Sequence, residues 1–291
     1  MQTVRATGWH CLAETRIDLH THSDCSDGLL SPDGLVALAQ TRAVGMLALT
    51  DHDTVAGCVA ARRACQKAGI RFVAGIELSC GWRGLEIHVL GLAVDDAQPE
   101  LLQHCAAQLA RRRERLTGIG ERLNRAGLPG SSLVQAALAA PVPTRTHVAR
   151  ALHDAGWAPD VPSAFERWLA RGRPGHQGAQ WPGLDVTLGS ISAAGGVAVL
   201  AHPHRYPLKT THLDELVAQF KAGGGAGLEV SLSGMSPAAA DRAATLARRH
   251  GLAGSIGSDF HEPDLSWRPL GRFAKLPDRI EPITALLRQV A

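Results

Sequence analysis

Histidines with acidic neighbours recur along this 291-residue chain at the points where apolar runs end. The first instance is RIDLHTHSDCSDG, residues 16–28, where Leu19 closes an apolar run and His20, His22, Asp24 and Asp27 follow. Residues i and i+2 of an extended segment lie on the same side, so His20 and His22 face one way. Comparable endings carry Asp51, His52 and Asp53 in TDHD, Glu77 in GIEL, and His202 in VLAHPHRY. His88 lies within EIHVLGL, and GSDFHEP supplies Asp259 and His261. Any one of these histidines is more often a cap or loop residue than a ligand. Their repetition from His20 to His261 is what separate coincidences explain poorly.

Imidazoles and carboxylates without thiolates suit Zn²⁺, Mn²⁺ or Fe²⁺. The candidate ligands His20, His22, Asp27, His52, Glu77, His88, His202, Asp259 and His261 exceed what one ion takes. The reading is two or three divalent cations, with Glu77 as a bridge and Asp27 reaching a neighbouring ion. Paired ions of this kind sit about 3.5–4 Å apart and clamp the attacking and leaving oxygens of a phosphoryl transfer. Asp53 reads mainly as a cap of the following helix, Asp51 as a carboxylate orienting an imidazole, and His204 as a loop residue.

The elements that must position these groups alternate between strand and helix. Arg16–His20, Met46–Thr50, Arg71–Glu77, Glu86–Leu92, Val197–His202, Gly227–Ser231 and Leu252–Ser258 read as strands. A helix starts at Ser31-Pro32-Asp33, an N-cap followed by proline at the first helical position, and runs to Arg42. Others cover Thr54–Ala68, Leu213–Ala222 and Pro237–His250, stopped by Gly69, Gly223 and Gly251. This alternation predicts a mainly parallel sheet or a barrel, in which catalytic groups gather at the carboxyl ends of the strands. Residues 97–180 break the rhythm. They are helical, arginine-rich and proline-punctuated, with one long helix from Glu100 to Ala126 that Gly118 and Gly120 bend or fray. The expected organisation is an N-terminal extension (1–15), a barrel from 16–96 and 181–291, and a helical insertion between its two parts.

Bulk properties narrow the class. A net charge of +3, with 45% hydrophobic and 20% charged residues, is ordinary for a globular enzyme and argues against indiscriminate coating of nucleic acid. The six cysteines show no C-x-x-C spacing, no secretory leader precedes them, and no apolar run reaches the length of a membrane helix. A cytoplasmic protein with free thiols is expected, with no membrane association and no obligate protein partner.

H-x-H near the start, T-D-H-D, a glutamate ending the third strand, A-H-P and a final S-D-F-H together resemble the polymerase-and-histidinol-phosphatase (PHP) superfamily. The likeness runs from about Arg16 to the end, in order. It implies an α/β fold, a distorted (β/α)₇ barrel with a helical insertion domain, holding two or three metals, often manganese. It carries the same ligand set onto His20, His22, Asp27, His52, Glu77, His88, His202, Asp259 and His261, with Asp27, His52, His202 and His261 also counted as catalytic. PTRTHVARAL (143–152), RGRPG (171–175), AHPHRY (201–206) and GLEVSLSGMSP (227–237) are similar to a branch with a helical insertion. That branch contains 3′,5′-nucleoside bisphosphate phosphatases and 5′-to-3′ exoribonucleases. His204 and Met235 depart from its pattern, which has glycine and histidine there.

The insertion also holds the densest basic run, Arg111-Arg112-Arg113-Glu114-Arg115. Arg112 and Arg115 share a helix face at i and i+3, and Arg145 and His147 come from elsewhere in the insertion. Arginine's planar fork binds phosphate oxygens in a bidentate way. The branch resemblance implies that this region closes over the barrel mouth and holds a second substrate phosphate through Arg112, Arg115, Arg145 and His147, with Arg205 helping from the loop after His202. Trp181 and Trp157 are candidates to stack on a base, or packing residues. The expected activity is metal-dependent hydrolysis of nucleoside 3′,5′-bisphosphates or short 5′-phosphorylated oligoribonucleotides. Alternatives are a small-molecule phosphomonoesterase, histidinol phosphatase for instance, and a metal-stabilised interaction module without turnover.

Overall fold

Buried apolar runs and amphipathic helices assemble, in the computed structural model, into a sheet of seven strands in chain order. The structure describes residues 16–264 and 267–287; the expected N-terminal extension lies outside them. The strands are β1 (Arg16–Asp18), β2 (Val44–Leu49), β3 (Arg71–Trp82), β4 (Leu85–Leu92), β5 (Val197–Leu200), β6 (Gly227–Leu232) and β7 (Ala253–Gly257). Neighbours run parallel, except that β4 is antiparallel to both β3 and β5. Only Arg83 and Gly84 separate β3 from β4, and both take positive φ, 49° and 73°. That is the backbone of a two-residue hairpin turn, far too short for a parallel crossover. The ends meet: Leu19 N donates to Ile256 O (3.2 Å), His22 N to Phe260 O (2.9 Å) and Asp259 N to His20 O (2.8 Å). Closure leaves no long free edge among the described strands, and it brings the first and last of them together at one seam.

Helices follow most strands. α1 (Pro32–Thr41) has the expected Ser31 cap, whose hydroxyl accepts from Gly34 N at 3.2 Å. α2 (Cys58–Ala68) begins later than its composition suggests. Asp53 turns the chain away at φ 49° and caps nothing there. α3 (Pro99–Arg125) continues unbroken through Gly118 and Gly120. The reason for Gly120 is packing: α4 (Gly130–Leu138) crosses so closely that a Cβ on Gly120 would lie 3.1 Å from Val134 Cγ2 and 3.2 Å from Gly130 O. α5 (Arg145–Asp154) and α6 (Val161–Ala164) complete this region, and a π-helical turn, Phe165–Leu169, extends α6. α7 (Leu184–Ala193), α8 (Thr210–Ala222), α9 (Pro237–His250) and α10 (Thr284–Leu287) return to the barrel.

The segment from α3 to the π turn has an apolar cluster of its own, including Leu116, Ile119, Leu123, Val134, Val148 and Leu152. Other clusters fill and surround the barrel. Its junction with β3 is polar and buried. Arg112 Nε donates to Asp53 Oδ2 at 2.6 Å, Arg112 Nη2 to Ser79 Oγ at 2.9 Å, and Gln108 Nε2 to Ser79 O at 2.6 Å. Among the described residues no helix is long and apolar enough to cross a membrane.

Candidate metal centre

The seam between β1 and β7 sets the first two histidines. Gly257 lies directly behind His20, and a Cβ there would come within 2.6 Å of His20 Cβ. The loop 23–28 then folds back over His22. Asp51 holds that loop by accepting from Ser23 N (2.7 Å), Ser23 Oγ (2.6 Å) and Ser26 Oγ (2.6 Å). Asp51 therefore shapes a loop and accepts no hydrogen bond from an imidazole. Asp53, read as a helix cap, instead takes the Arg112 guanidinium and Ser79 N (2.8 Å). His52 enters from the end of β2, paired with Glu77 in a parallel bridge. His88 is the exception to the rule of carboxyl ends. It sits in the first half of the reversed strand β4, opposite Ser79, and so still reaches the mouth.

Glu77 is the hub. Its Oε2 lies 3.3 Å from His20 Nε2, 3.2 Å from His22 Nε2 and 3.1 Å from His52 Nδ1. Its Oε1 lies 2.9 Å from both His88 Nδ1 and His202 Nε2. Asp259 Oδ1 is 3.3 Å from His20 Nε2 and 3.2 Å from His22 Nε2. Asp27 Oδ1 is 3.4 Å from His261 Nε2 and 3.8 Å from His52 Nε2.

Three donor sets result, each with its ligand atoms within 4.8 Å of one another: His22, Asp27, His52 and His261; His20, His22, Glu77 and Asp259; and His52, Glu77 and His88. His22, His52 and Glu77 each belong to more than one set. His202 belongs to none of the three and leans on Glu77 from the side. The fit to divalent cations is direct. His20 Nε2, both nitrogens of His22, Asp27 Oδ1, His52 Nδ1, Glu77 Oε2 and His202 Nδ1 are buried and make no hydrogen bond. Buried polar atoms so rarely lack a partner that a converging group of them marks a place for an ion.

The electrostatics agree. Burial opposes charge on His20, but Glu229, Glu77 and Asp259 outweigh it and raise its pKa well above the ordinary value. Burial is likewise overcome at His22, raised to about 10 by Asp259 and Glu77, and at His88, raised to about 9 by Glu77. Burial would lift Asp259, yet Arg205, His20 and Arg268 hold it well below the usual carboxylate range. At His202 burial prevails over Glu77 and drives the pKa to about 4. At His20, His22 and His88 these shifts favour a proton where a cation would sit, and a bound cation would displace it.

Supporting groups complete the cluster, and of these the sequence named only Arg205, as a phosphate contact. Glu229, in β6, is fully buried: Oε1 is 2.9 Å from His20 Nδ1, and Oε2 accepts from His202 N at 2.6 Å. His202 needs that anchor because its φ is +29°, outside the usual range for a side chain with a Cβ. The available signal was an acid in the apolar run GLEVSL. Thr144 Oγ1 donates to Asp27 Oδ2 (3.0 Å), and Arg268 Nη1 to Asp259 Oδ2 (3.0 Å), where Arg205 also binds. Tyr206 Oη accepts from His88 N at 2.9 Å and donates to Ala201 O at 2.8 Å. Both Glu229 oxygens accept, whereas an amide offers only one acceptor. Glu229→Gln is therefore expected to weaken Mn²⁺ binding by about 10–100-fold, the usual effect of removing such an outer partner, as measured by calorimetric titration of metal-free protein.

A cavity of about 810 Å³ opens over the cluster and is lined on its other walls by Arg83, Arg115, Arg145, Arg171, Arg205 and Arg268. Arg115 pairs with Glu86 through both Nη atoms (3.0 and 2.7 Å), and Arg145 Nη2 lies 3.5 Å from Glu86 Oε2. Two sequence candidates do not reach this cavity. Arg112 is occupied by Asp53 and Ser79, and His147 closes a capping box with Thr144 at the start of α5. Trp181 is no open platform either, since the Arg112 and Arg115 guanidiniums stand over its ring at 5.5 and 5.6 Å. Trp157 packs edge-on against Trp168.

A closed barrel with imidazoles and carboxylates converging at its mouth, and no thiolate in any donor set, defines a barrel able to hold a cluster of divalent cations. Comparison with known proteins gives the family. Residues 18–118 match the PHP domain. The chain is 40% identical over 275 residues to the 5′-3′ exoribonuclease Rnm of Escherichia coli, covering 94% of each. It is 39% identical over 269 residues to a 3′,5′-nucleoside bisphosphate phosphatase of Chromobacterium violaceum, covering 92% of this chain and 94% of that protein. The solved structure of an amidohydrolase from Chromobacterium violaceum, with bound sulfate and no metal, is similar at a TM-score of 0.89 and 38% identity, covering 95% of this chain and 97% of that one. The chain belongs to the PHP-domain family.

Proposed function

We propose that this protein hydrolyses phosphoric esters of nucleotides that carry a second phosphate, namely nucleoside 3′,5′-bisphosphates and short 5′-phosphorylated oligoribonucleotides. The observation that carries the reading is the Arg145 guanidinium, partly exposed and paired at 3.5 Å with Glu86, in the same cavity as the histidine cluster but outside it. The activities named for the relatives above support it. His20, His22, Asp27, His52, Glu77, His88, His202, Asp259 and His261 would hold two or three divalent cations, Mn²⁺ foremost. Such ions acidify a water and neutralise the attacking and leaving oxygens of an in-line displacement.

The chain's own residues do the rest. Glu77 and Asp259 bring negative charge to the His20 nitrogen that would hold a cation, and Glu229 fixes the tilt of His20. Thr144 holds Asp27 by one oxygen, so that Oδ1 stays turned toward His52 and His261. Arg205 and Arg268 share Asp259 Oδ2 at the cavity wall, positioned to meet non-bridging oxygens as charge grows there. Residues 97–180 act as the substrate-selecting part: Arg115 fixes Glu86, and Arg145 takes the second phosphate.

The test is a Mn²⁺-supplemented assay with adenosine 3′,5′-bisphosphate, a 5′-phosphorylated RNA ladder and p-nitrophenyl phosphate. Wild type should prefer the first two. Arg145→Ala should lower kcat/KM for the bisphosphate relative to p-nitrophenyl phosphate by roughly 10–100-fold, the worth of a charge-assisted hydrogen bond. An unchanged ratio would remove Arg145 from the account.

A further inference from the structure

A second cavity, of about 450 Å³, adjoins the first. The two share Thr146, His261 and Arg268, so the second is an annex of the candidate centre. One wall comes from α5, α6 and the π turn, with Val161, Pro162 and Phe165; the other comes from His261, Glu262, Trp267 and Arg268. Val161, Pro162, Phe165 and Trp267 give it apolar walls between polar ends. Its acid, Glu262, is paired with Arg150 at 3.3 Å. Arg150 and Arg268 also line it, but it holds fewer arginines than the space above the cluster, and Arg150 is engaged by Glu262.

Trp267 is the distinctive group. Its side chain is half exposed, at 51%, where indoles are ordinarily packed. Among the described residues no ring or guanidinium covers its face. The other aromatics near the centre are not free: Trp181 lies under two arginines, Phe165 carries Arg145 at 5.7 Å, and the Tyr206 hydroxyl is engaged. A flat ring lying open beside an apolar annex offers a stacking surface of the kind that any nucleobase can use.

We infer that the cleft between Phe165 and Trp267 is the nucleobase pocket of this enzyme, with the base stacked on the Trp267 indole. The pocket rests on the nucleotide reading proposed above and deepens it. Arg268 then stands at the junction, between the base on one side and Asp259 on the other. The apolar walls contact base faces, so the pocket tolerates different bases, as stepwise removal of nucleotides requires. Specificity for nucleotides over other phosphate esters thus has a part separate from Arg145.

The test compares wild type, Trp267→Ala and Trp267→Phe on adenosine 3′,5′-bisphosphate and on base-free ribose 3,5-bisphosphate, with Mn²⁺ present. Base stacking is worth about 1–3 kcal/mol by alanine substitution, so the ratio of kcat/KM for nucleotide over base-free compound should fall roughly 5–150-fold in Trp267→Ala. The fall should lie mainly in KM, and Trp267→Phe should restore most of it. An equal loss on both compounds, or none on either, overturns the pocket. Indole quenching by adenosine 5′-monophosphate, taken as the difference between wild type and Trp267→Phe, decides the pocket even if neither bisphosphate is turned over. In that case the proposed substrate fails, while a retained quenching difference upholds the pocket and its absence overturns it.

Discussion

Glu77→Gln is expected to lower kcat on every phosphate ester by about three powers of ten or more, and to leave the protein short of bound metal. The size follows from the hub geometry. One carboxylate faces His20, His22, His52, His88 and His202 and belongs to two of the donor sets. The amide keeps the shape but removes the negative charge, and its nitrogen turns hydrogens toward the nitrogens of neighbouring imidazoles. Lewis-acid and water-activating effects are each worth several kcal/mol, and every 1.36 kcal/mol is tenfold in rate. Elemental analysis of the purified variant, alongside turnover at saturating Mn²⁺, checks both halves. Full metal content with near-normal turnover would contradict the role assigned to Glu77.

The second large effect concerns stability. Asp53 and Arg112 are both almost fully buried and meet at 2.6 Å where α3 docks on β3. Removing one partner of a buried pair leaves a lone charge in a poorly solvated place and costs about 3–5 kcal/mol. Asp53→Ala should therefore lower Tm by roughly 6–20 °C, at about 2–4 °C per kcal/mol for a chain of this order of size. The double variant Asp53→Ala/Arg112→Met, which removes both charges, should recover much of that loss. Thermal unfolding of the metal-loaded proteins provides the measurement. A drop of less than about 2 °C in Asp53→Ala, corresponding to under 1 kcal/mol, would show that the junction is held by other contacts.

The contrast between what the residues announced and what they concealed is physical. The strands could be read because each is a short apolar run ending in a polar cluster, and the donor set could be read because those endings repeat. Strand direction could not. Only the two-residue Arg83-Gly84 connection betrays the reversal of β4, and it places His88 at the mouth from the opposite end of its strand. Asp53 misleads because an acid before a helical pattern is an ordinary cap, while its partner Arg112 lies far along the chain. The same contact explains why the arginine run deceives. Spacing puts Arg112 and Arg115 on one face but does not say that a buried carboxylate is waiting for the first of them. Glu229 stayed hidden because its strand supplies no member of the donor sets, only the layer behind them.

The docking of α3 carries one more consequence. Asp53 and Ser79, which grip the helix, are close chain neighbours of His52 and Glu77, which build the cluster. Hub and grip therefore share the same stretches of rigid backbone, and Arg115 stands one helical turn beyond the clamped Arg112. The barrel and helix thus form a caliper whose jaws cannot drift apart independently. In the function proposed above, that shared mount would set the distance between the cluster and the arginines across the cavity, and a substrate whose phosphates are spaced otherwise would bind poorly.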